Sequence, residues 1–171
     1  MADASSLIER QLVVFDLAGE HYGVDIATVR EIIQMQTVTR VPGSDPCVEG
    51  LINLRGVVIP VIDLRKRFGF PAAERNKDTR IMVIHSHRHD IGMIVDSVTE
   101  VLRIPSNCIE PASSILMNDN TGYLLGTAKL PDRLVILLDV QALISNDEIS
   151  DIMPPDATED AGEKQKITVE Q

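Results

Sequence analysis

The chain has 171 residues and a mass of 18.8 kDa, which predicts a single folded domain. Sixteen basic residues against 26 acidic ones give a net charge of -10, which disfavours binding to nucleic acids and anionic membranes. Apolar residues make up 44% of the chain, with three Phe, two Tyr and no Trp, so the core must be aliphatic. The 17 Val and 19 Ile residues favour strands because β-branched side chains fit a pleated surface.

No targeting signal is expected from the first residues of the sequence. We expect the first ten residues to be flexible, and Glu9 and Arg10 interrupt any apolar stretch, so no secretory signal is predicted. The longest apolar run is far shorter than a membrane-spanning helix. Cys47 and Cys108 are too few for a disulfide framework or a four-ligand zinc site and suit a reducing compartment. The sequence therefore predicts a soluble cytoplasmic protein without membrane insertion.

The first elements in chain order are two β-hairpins. Apolar segments 12–17 and 22–24 flank the turn residues Ala18-Gly19-Glu20, which predicts the first hairpin. The segment 50-GLINLRGVVIPVIDL-64 predicts the second, with Gly56 supplying a positive φ at its turn. Short helical turns are expected after these hairpins, where Asp residues can cap the first backbone N–H groups.

The second half of the chain repeats this order of elements. Residues 80–104 align without a gap with residues 11–35, and residues 133–140 align with residues 57–64. The identities are Val14/Val83, Gly23/Gly92, Val29/Val98 and Glu31/Glu100. Five or so brief strands per half are typical of a small closed barrel. We therefore expect an all-β fold with short helices, in which a domain at 11–144 contains two barrels, from repeats near 11–70 and 80–144.

The last segment, residues 145–171, differs in composition from this domain. It contains eight acidic residues against two lysines, with Pro154 and Pro155 and only scattered Ile and Val. Such a segment buries too little apolar surface to offset the entropy lost on ordering. We expect an acidic disordered tail.

Catalytic and metal-binding patterns are sparse. His85, His87 and His89 alternate on a predicted strand and could hold a metal on one face, but they align with the hairpin tip of the first repeat, which favours a solvated turn. Asp25, Asp63, Asp96 and Asp139 follow strands, and N-capping explains the last three better than acid–base catalysis does. The common nucleophile, phosphate-loop and zinc motifs do not occur. The sequence predicts no enzyme activity, no cofactor and no metal.

Arg55 is the most informative charged residue, since it lies between two strongly apolar strands and needs a carboxylate or a partner protein there. The surrounding string VEGLINLRGVVIPVIDLRKRFG, preceded by YGVDIATVREIIQMQTVTRVP, closely resembles the CheW family of chemotaxis coupling proteins. The similarity extends over residues 11–144 and includes GMIVDSVTEVL and DRLVILLDV. It implies two similar five-stranded SH3-like barrels in a non-enzymatic adaptor. Such adaptors join methyl-accepting chemoreceptors to the regulatory domain of the histidine kinase CheA at membrane-associated receptor arrays.

The resemblance also implies two binding surfaces. Receptor contact is expected in the groove between the barrels, at Val29, Glu31, Gly50, Asn53, Leu54, Arg55, Gly56, Val98 and Val101. Kinase contact is expected at Val38 and Val58. An amphipathic receptor helix in an aliphatic groove is a common recognition mode. Because Glu31 and Arg55 both emerge from apolar surroundings, we also predict that they pair across the mouth of the groove.

Three hypotheses remain open from the sequence. The first is a chemotaxis coupling protein, and the second is a CheW-like adaptor of a parallel receptor–kinase pathway such as twitching motility. These two differ only in the kinase and receptors that bind. The third is an enzyme or metal protein centred on the histidines.

Overall fold

The structure is a computed structural model that describes residues 9–86, 88–111 and 123–144. Within them, the strands are β1 (Glu9–Leu17), β2 (Glu20–Asp25), β3 (Val29–Gln34), β4 (Val48–Leu54), β5 (Val57–Asp63), β6 (Arg80–Ser86), β7 (His89–Val95), β8 (Ser97–Pro105), β9 (Ile109–Pro111), β10 (Leu124–Lys129) and β11 (Leu134–Leu138). Helices α1 (Leu64–Arg67) and α2 (Val140–Leu143) and 3-10 turns at Ile26–Thr28 and Ser106–Cys108 complete the described elements. Neither α-helix has the length or apolar character needed to span a membrane. The predicted β-dominated fold is confirmed.

The strands form two sheets. Sheet A has the order β8-β1-β2-β11-β10-β9, and sheet B has the order β3-β6-β7-β5-β4. Each sheet therefore combines strands from both halves of the sequence. This corrects the expectation that each repeat closes its own barrel: the first hairpin of each repeat pairs with the later strands of the other.

The first hairpins of the two repeats pair with the other repeat in the same register. In sheet A, Val14 of β1 lies opposite Glu100 of β8, and in sheet B, Val83 of β6 lies opposite Glu31 of β3. Each of these ladders has an irregularity at the corresponding place, next to Phe15 and next to Val29. The aligned identities in the sequence therefore mark equivalent positions in two equivalent strand pairings.

Gly23 and Gly92 lie where parallel strands meet. Gly23 of β2 pairs with β11, and Gly92 of β7 pairs with β5. A Cβ atom would lie 3.1 Å from Val135 Cγ1 at Gly23 and 2.7 Å from Ile81 Cγ2 at Gly92. A larger residue would collide with the Ile81 side chain at Gly92, whereas at Gly23 it would require Val135 to shift by a few tenths of an ångström.

The described residues form three apolar clusters. One lies within sheet A, around Val14 and Leu137, and one within sheet B, around Val61 and Val83. The largest cluster takes residues from both sheets and from both helices, including the fully buried Phe15. The clusters are mainly aliphatic, as the composition anticipates, but all five aromatic residues of the chain lie in the largest cluster or against it. The shared cluster joins the two SH3-like halves into one body.

Three of the four candidate capping residues cap as predicted. Asp25, Asp63 and Asp139 each accept a hydrogen bond from a backbone N–H two residues later, at the starts of the first 3-10 turn, α1 and α2. Asp96 does not cap a helix, because the chain passes directly from β7 into β8 at this point. Its carboxylate instead accepts a hydrogen bond from the backbone N–H of Ala18, at 2.9 Å, and two hydrogen bonds from the guanidinium of Arg65.

Glu9 and Arg10 pair with β8, so the expected flexibility of the first ten residues is wrong for these two, and residues 1–8 lie outside the described residues. The acidic tail at 145–171 lies outside the described residues, so the structure does not bear on that prediction.

Candidate protein-interaction surface

The turn between β4 and β5 presents Arg55. Arg55 has φ 53° and Gly56 has φ 88°, and two consecutive left-handed residues are typical of a tight two-residue hairpin turn. The positive φ predicted at Gly56 is confirmed, whereas that of Arg55 was not anticipated. Asn53 Oδ1 accepts the N–H of Gly56 at 2.7 Å, which holds the turn. The turn places the Arg55 side chain outward, with 69% of it exposed.

Arg55 forms an ion pair with Glu31 of β3, which confirms the predicted pairing. Both residues belong to sheet B, so the contact joins one edge strand to the hairpin at the other edge. The ion pair therefore connects the two edges of sheet B. The expected contact was across a groove between the two barrels. An exposed pair of this kind adds about 0–1 kcal/mol to stability, so its main consequence is the direction in which it holds the guanidinium.

Val29 and Val98 occupy equivalent positions on β3 and β8. Val29 lies opposite Ile84, and Val98 lies opposite Phe15. Both valines are partly buried against the cluster shared by the two sheets. They are therefore aliphatic side chains at the joint between the sheets, each still accessible in part.

Two other predicted receptor residues are directed inward. Gly50 is buried, has φ +146°, and a Cβ atom there would lie 2.0 Å from the carbonyl oxygen of Thr39. Leu54 packs against the cluster inside sheet B. The geometry of Gly50 is explained by close backbone approach, without any binding partner.

The two predicted kinase residues differ in exposure. Val38 is partly buried against the cluster of sheet B, whereas 45% of Val58 is exposed. Val58 is thus available to a partner and Val38 is available only in part.

Sequence reasoning missed two exposed aliphatic residues that the repeat alignment could have found. Ile32 aligns with Val101 and is 40% exposed, against 50% for Val101. Leu134 aligns with Val58 and is 57% exposed. The aligned positions therefore present aliphatic side chains on both sheets.

A buried acid was also missed. Glu49 is only 6% exposed, and its carboxylate lies 3.0 Å from Lys66 Nζ and 3.1 Å from the guanidinium of Arg75. Burial raises the pKa of Glu49, but the hydrogen bonds from Lys66 and Arg75 outweigh it and bring the pKa below its ordinary value. Arg75 also bonds Asp63 at 2.9 Å. The run of cations after β5 is the sequence signal that could have indicated a buried carboxylate.

Another ionic contact, between Arg65 and Asp96, connects the two sheets. Arg65 of α1 donates two hydrogen bonds to Asp96, at 2.9 and 2.7 Å. Burial raises the pKa of Asp96, but the bonds from Arg65 and from the Ala18 N–H outweigh it and lower the pKa overall. The hydrogen bonds that Arg65 donates to Asp96 raise the pKa of Arg65 in turn. The pair therefore stays ionised and joins α1 to the β1–β2 turn.

The histidine cluster is only partly described. His85 Nδ1 lies 3.0 Å from the Asp90 carboxylate, and His87 is outside the described residues. Within the described part of the chain, no group of three or more His, Cys, Asp or Glu side chains is placed to hold a metal ion.

Known proteins are similar to this chain in sequence and in fold. A family model for the CheW-like domain matches residues 11–148. The chemotaxis protein CheW of Klebsiella aerogenes is 33% identical over 147 residues, covering 86% of this chain and 89% of the relative. The chemotaxis protein CheW of Bacillus subtilis is 35% identical over 147 residues, covering 86% and 94%. The crystal structure of the scaffolding protein TtCheW from Thermoanaerobacter tengcongensis matches with a TM-score of 0.76 and 38% identity, covering 82% of this chain and 96% of that one.

The two interleaved sheets and the match to the family model place the chain among proteins with a CheW-like domain. The chain belongs to the CheW family. Its role is that of a chemotaxis coupling adaptor.

Proposed function

We propose that the chain couples chemoreceptors to a CheA-type histidine kinase in bacterial chemotaxis arrays, and that it does so without catalysis. The family supports this proposal, since its relatives are named chemotaxis and scaffolding proteins. Those names also favour chemotaxis over a parallel pathway such as twitching motility. The protein would act in the cytoplasm, recruited to receptor arrays at the membrane.

The observation that carries the proposal is the exposed guanidinium of Arg55, held in place by Glu31 on a rigid turn. A charge fixed in direction beside aliphatic side chains orients a bound helix more than it adds affinity. We place the receptor surface at Val29, Glu31, Asn53, Arg55, Gly56, Val98 and Val101, with Gly50 and Leu54 supporting the turn from inside.

The kinase surface is proposed at Val58, with Val38 beneath it. The exposure of Val58 supports a direct contact. Replacing Val58 with Asp should weaken kinase binding while receptor binding persists, and a loss of both together with the cooperative unfolding transition would contradict this division. Residues that anchor the centre of an interface typically contribute about 2 kcal/mol or more.

The receptor surface is tested by charge reversal. Arg55→Glu and Glu31→Arg should each fold normally, because the pair contributes little to stability. Each should lower receptor-dependent kinase activity about tenfold or more, and the double reversal should restore part of it, since the ion pair is rebuilt in the opposite sense. The measurement is kinase autophosphorylation in reconstituted receptor arrays for the four variants.

Arg30→Glu is the matched control. Arg30 lies on the same strand as Glu31, has 56% of its side chain exposed, and pairs with Asp90 at 3.0 Å. The Arg30→Glu variant undergoes the same change of charge as Arg55→Glu. Because Arg30 is not part of the proposed receptor surface, kinase activity close to that of the natural chain is expected. Strict additivity of the Glu31 and Arg55 defects would show that the two residues act independently.

A further inference from the structure

An open depression of about 630 Å³ lies beside α1 and has no role in the surfaces described above. It is lined by Asp45, Pro46, Cys47, Lys66, Arg67, Gly69 and Phe70. The lining combines an aromatic ring, a proline and a thiol with two cations. Such a lining fits a peptide that carries both carboxylates and aliphatic side chains.

The described part of the chain ends next to this depression. Arg67, which lines it, donates its Nε–H to the backbone oxygen of Leu143 at 3.1 Å. Ile144 is buried in the same apolar cluster as Cys47. The described chain therefore ends at the edge of the depression, and Ile149 lies within about 17 Å of chain length from Ile144.

The chemistry of the following segment complements the lining. Residues 145–153 read SNDEISDIM, with acids at Asp147, Glu148 and Asp151 and no lysine or arginine. Ile149 and Ile152 alternate with these acids. The family match also continues to residue 148, beyond the last described helix.

The charges around the depression favour an acidic occupant. Lys66 and Arg67 line the depression. Lys66 Nζ also lies 3.0 Å from the Glu49 carboxylate. Asp45 is the one carboxylate in the lining, and it accepts the N–H of Cys47 at 3.0 Å, which turns it toward its own loop. The net charge of the lining is therefore positive.

We propose that residues 145–153 of this chain dock into the depression, with their acids toward Lys66 and Arg67 and Ile149 toward Phe70. This assigns an intramolecular binding site to the α1 face and gives the first part of the acidic tail a position. The inference is independent of the proposed function, because it concerns contacts within one chain.

The experiment is disulfide cross-linking in the full-length chain. Ile149→Cys introduces a thiol into the segment, and mild oxidation followed by peptide mapping reports whether it bonds to Cys47. Cys108 is the internal reference thiol. The matched control carries the same Ile149→Cys change together with Asp147→Asn, Glu148→Gln and Asp151→Asn, which keeps the tether length and removes the charge.

Docking predicts that the bond to Cys47 forms at least about five times faster than the bond to Cys108. The charge-neutral control should lose most of this advantage, as should the acidic chain at about 0.5 M salt, where exposed charges are screened. Equal rates in the acidic and neutral chains, preferential bonding to Cys108, disulfides only between two molecules, or no cross-link to Cys47 would each overturn the proposal.

Amide hydrogen exchange provides a second measurement on a chain without the new thiol. Protection of the Gly69 and Phe70 amides should fall when Asp147, Glu148 and Asp151 are neutralised. Unchanged protection would also contradict docking at this site.

Discussion

Glu31 in sheet B and Glu100 in sheet A occupy equivalent positions, and each pairs with an arginine of a hairpin. The two arginines differ in their surroundings. Arg55 lies on a left-handed turn with 69% of its side chain exposed, whereas 25% of Arg133 is exposed and its buried Nε has no hydrogen-bond acceptor among the described residues. Both contacts therefore join a strand to a hairpin of the same sheet, but only Arg55 of sheet B presents a largely exposed charge. The ion pair occurs in both repeats, and local turn geometry decides which arginine is exposed.

The two crossings, the places where the chain passes from one sheet to the other, also differ. The chain passes from sheet A to sheet B through the 3-10 turn Ile26–Thr28, capped by Asp25. It passes back from sheet B to sheet A directly at Asp96, whose carboxylate binds Arg65 and Ala18. One crossing is held by local capping and the other by contacts distant in sequence.

The largest difference between the sheets is expected at Gly50 and Gly126, which stand at equivalent irregularities in β4 and β10. A Cβ atom would lie 2.0 Å from the Thr39 oxygen at Gly50 and 2.2 Å from the Glu110 oxygen at Gly126. Only Gly50 has a positive φ, so Gly50→Ala combines collision with backbone strain. We expect a loss of about 3–5 kcal/mol for Gly50→Ala and about 1–3 kcal/mol for Gly126→Ala, measured by urea unfolding.

Gly43→Ala separates strain from collision, because Gly43 has φ +80° and no atom within 4 Å of the added Cβ. The Gly43→Ala substitution should lower the unfolding free energy by about 1 kcal/mol. Equal losses at Gly43 and Gly50 would show that the approach of Thr39 has no effect.

A smaller loss is expected at the second crossing. Asp96→Asn removes the charge that binds Arg65 and should cost about 1.5–3 kcal/mol at neutral pH. Because the pKa of Asp96 is lowered in the folded state, its contribution is present above the unfolded value of about 3.9 and is lost as pH falls through the folded value. The difference in unfolding free energy between the natural and substituted chains should therefore shrink in acid.

Asp25→Asn is the control at the first crossing. Asn caps helical turns about as well as Asp, and 43% of the Asp25 side chain is exposed, so a change below about 0.5 kcal/mol is expected. If the two substitutions cost the same at every pH, the two crossings do not differ as described.

The repeat, the strands and three caps could be predicted because each depends on local pattern: apolar alternation, turn residues, or an Asp after a strand. The exchange of hairpins could not, since the identity of Glu31 with Glu100 shows that two units are alike and leaves open which unit each hairpin pairs with. Asp96 was misassigned for the same reason, because its partners Ala18 and Arg65 are distant in sequence.

The candidate surface shows a similar division. The Glu31–Arg55 pair was predicted because the resemblance brings both residues to one groove and both charges emerge from apolar surroundings. Gly50 was selected by resemblance as a contact residue, yet its burial and its approach to Thr39 require three-dimensional information. Glu49 was passed over because a charged residue in an apolar segment is ordinarily exposed, and the cations that accompany it come from α1 and the loop after it.

The smallest expected difference compares the two arginines themselves. Arg133→Ala removes a largely buried side chain and leaves Glu100 without its partner, so we expect a loss of about 1–2 kcal/mol in unfolding free energy. Arg55→Ala removes an exposed partner of Glu31, and the loss should stay at or below about 0.5 kcal/mol. In receptor-dependent kinase assays the order should reverse, with Arg55→Ala the more defective. Urea unfolding and kinase assays on the same two preparations make the comparison. Equal stability losses would mean that exposure does not separate the two pairs, and equal kinase defects would mean that sheet A presents its arginine to a partner as sheet B does.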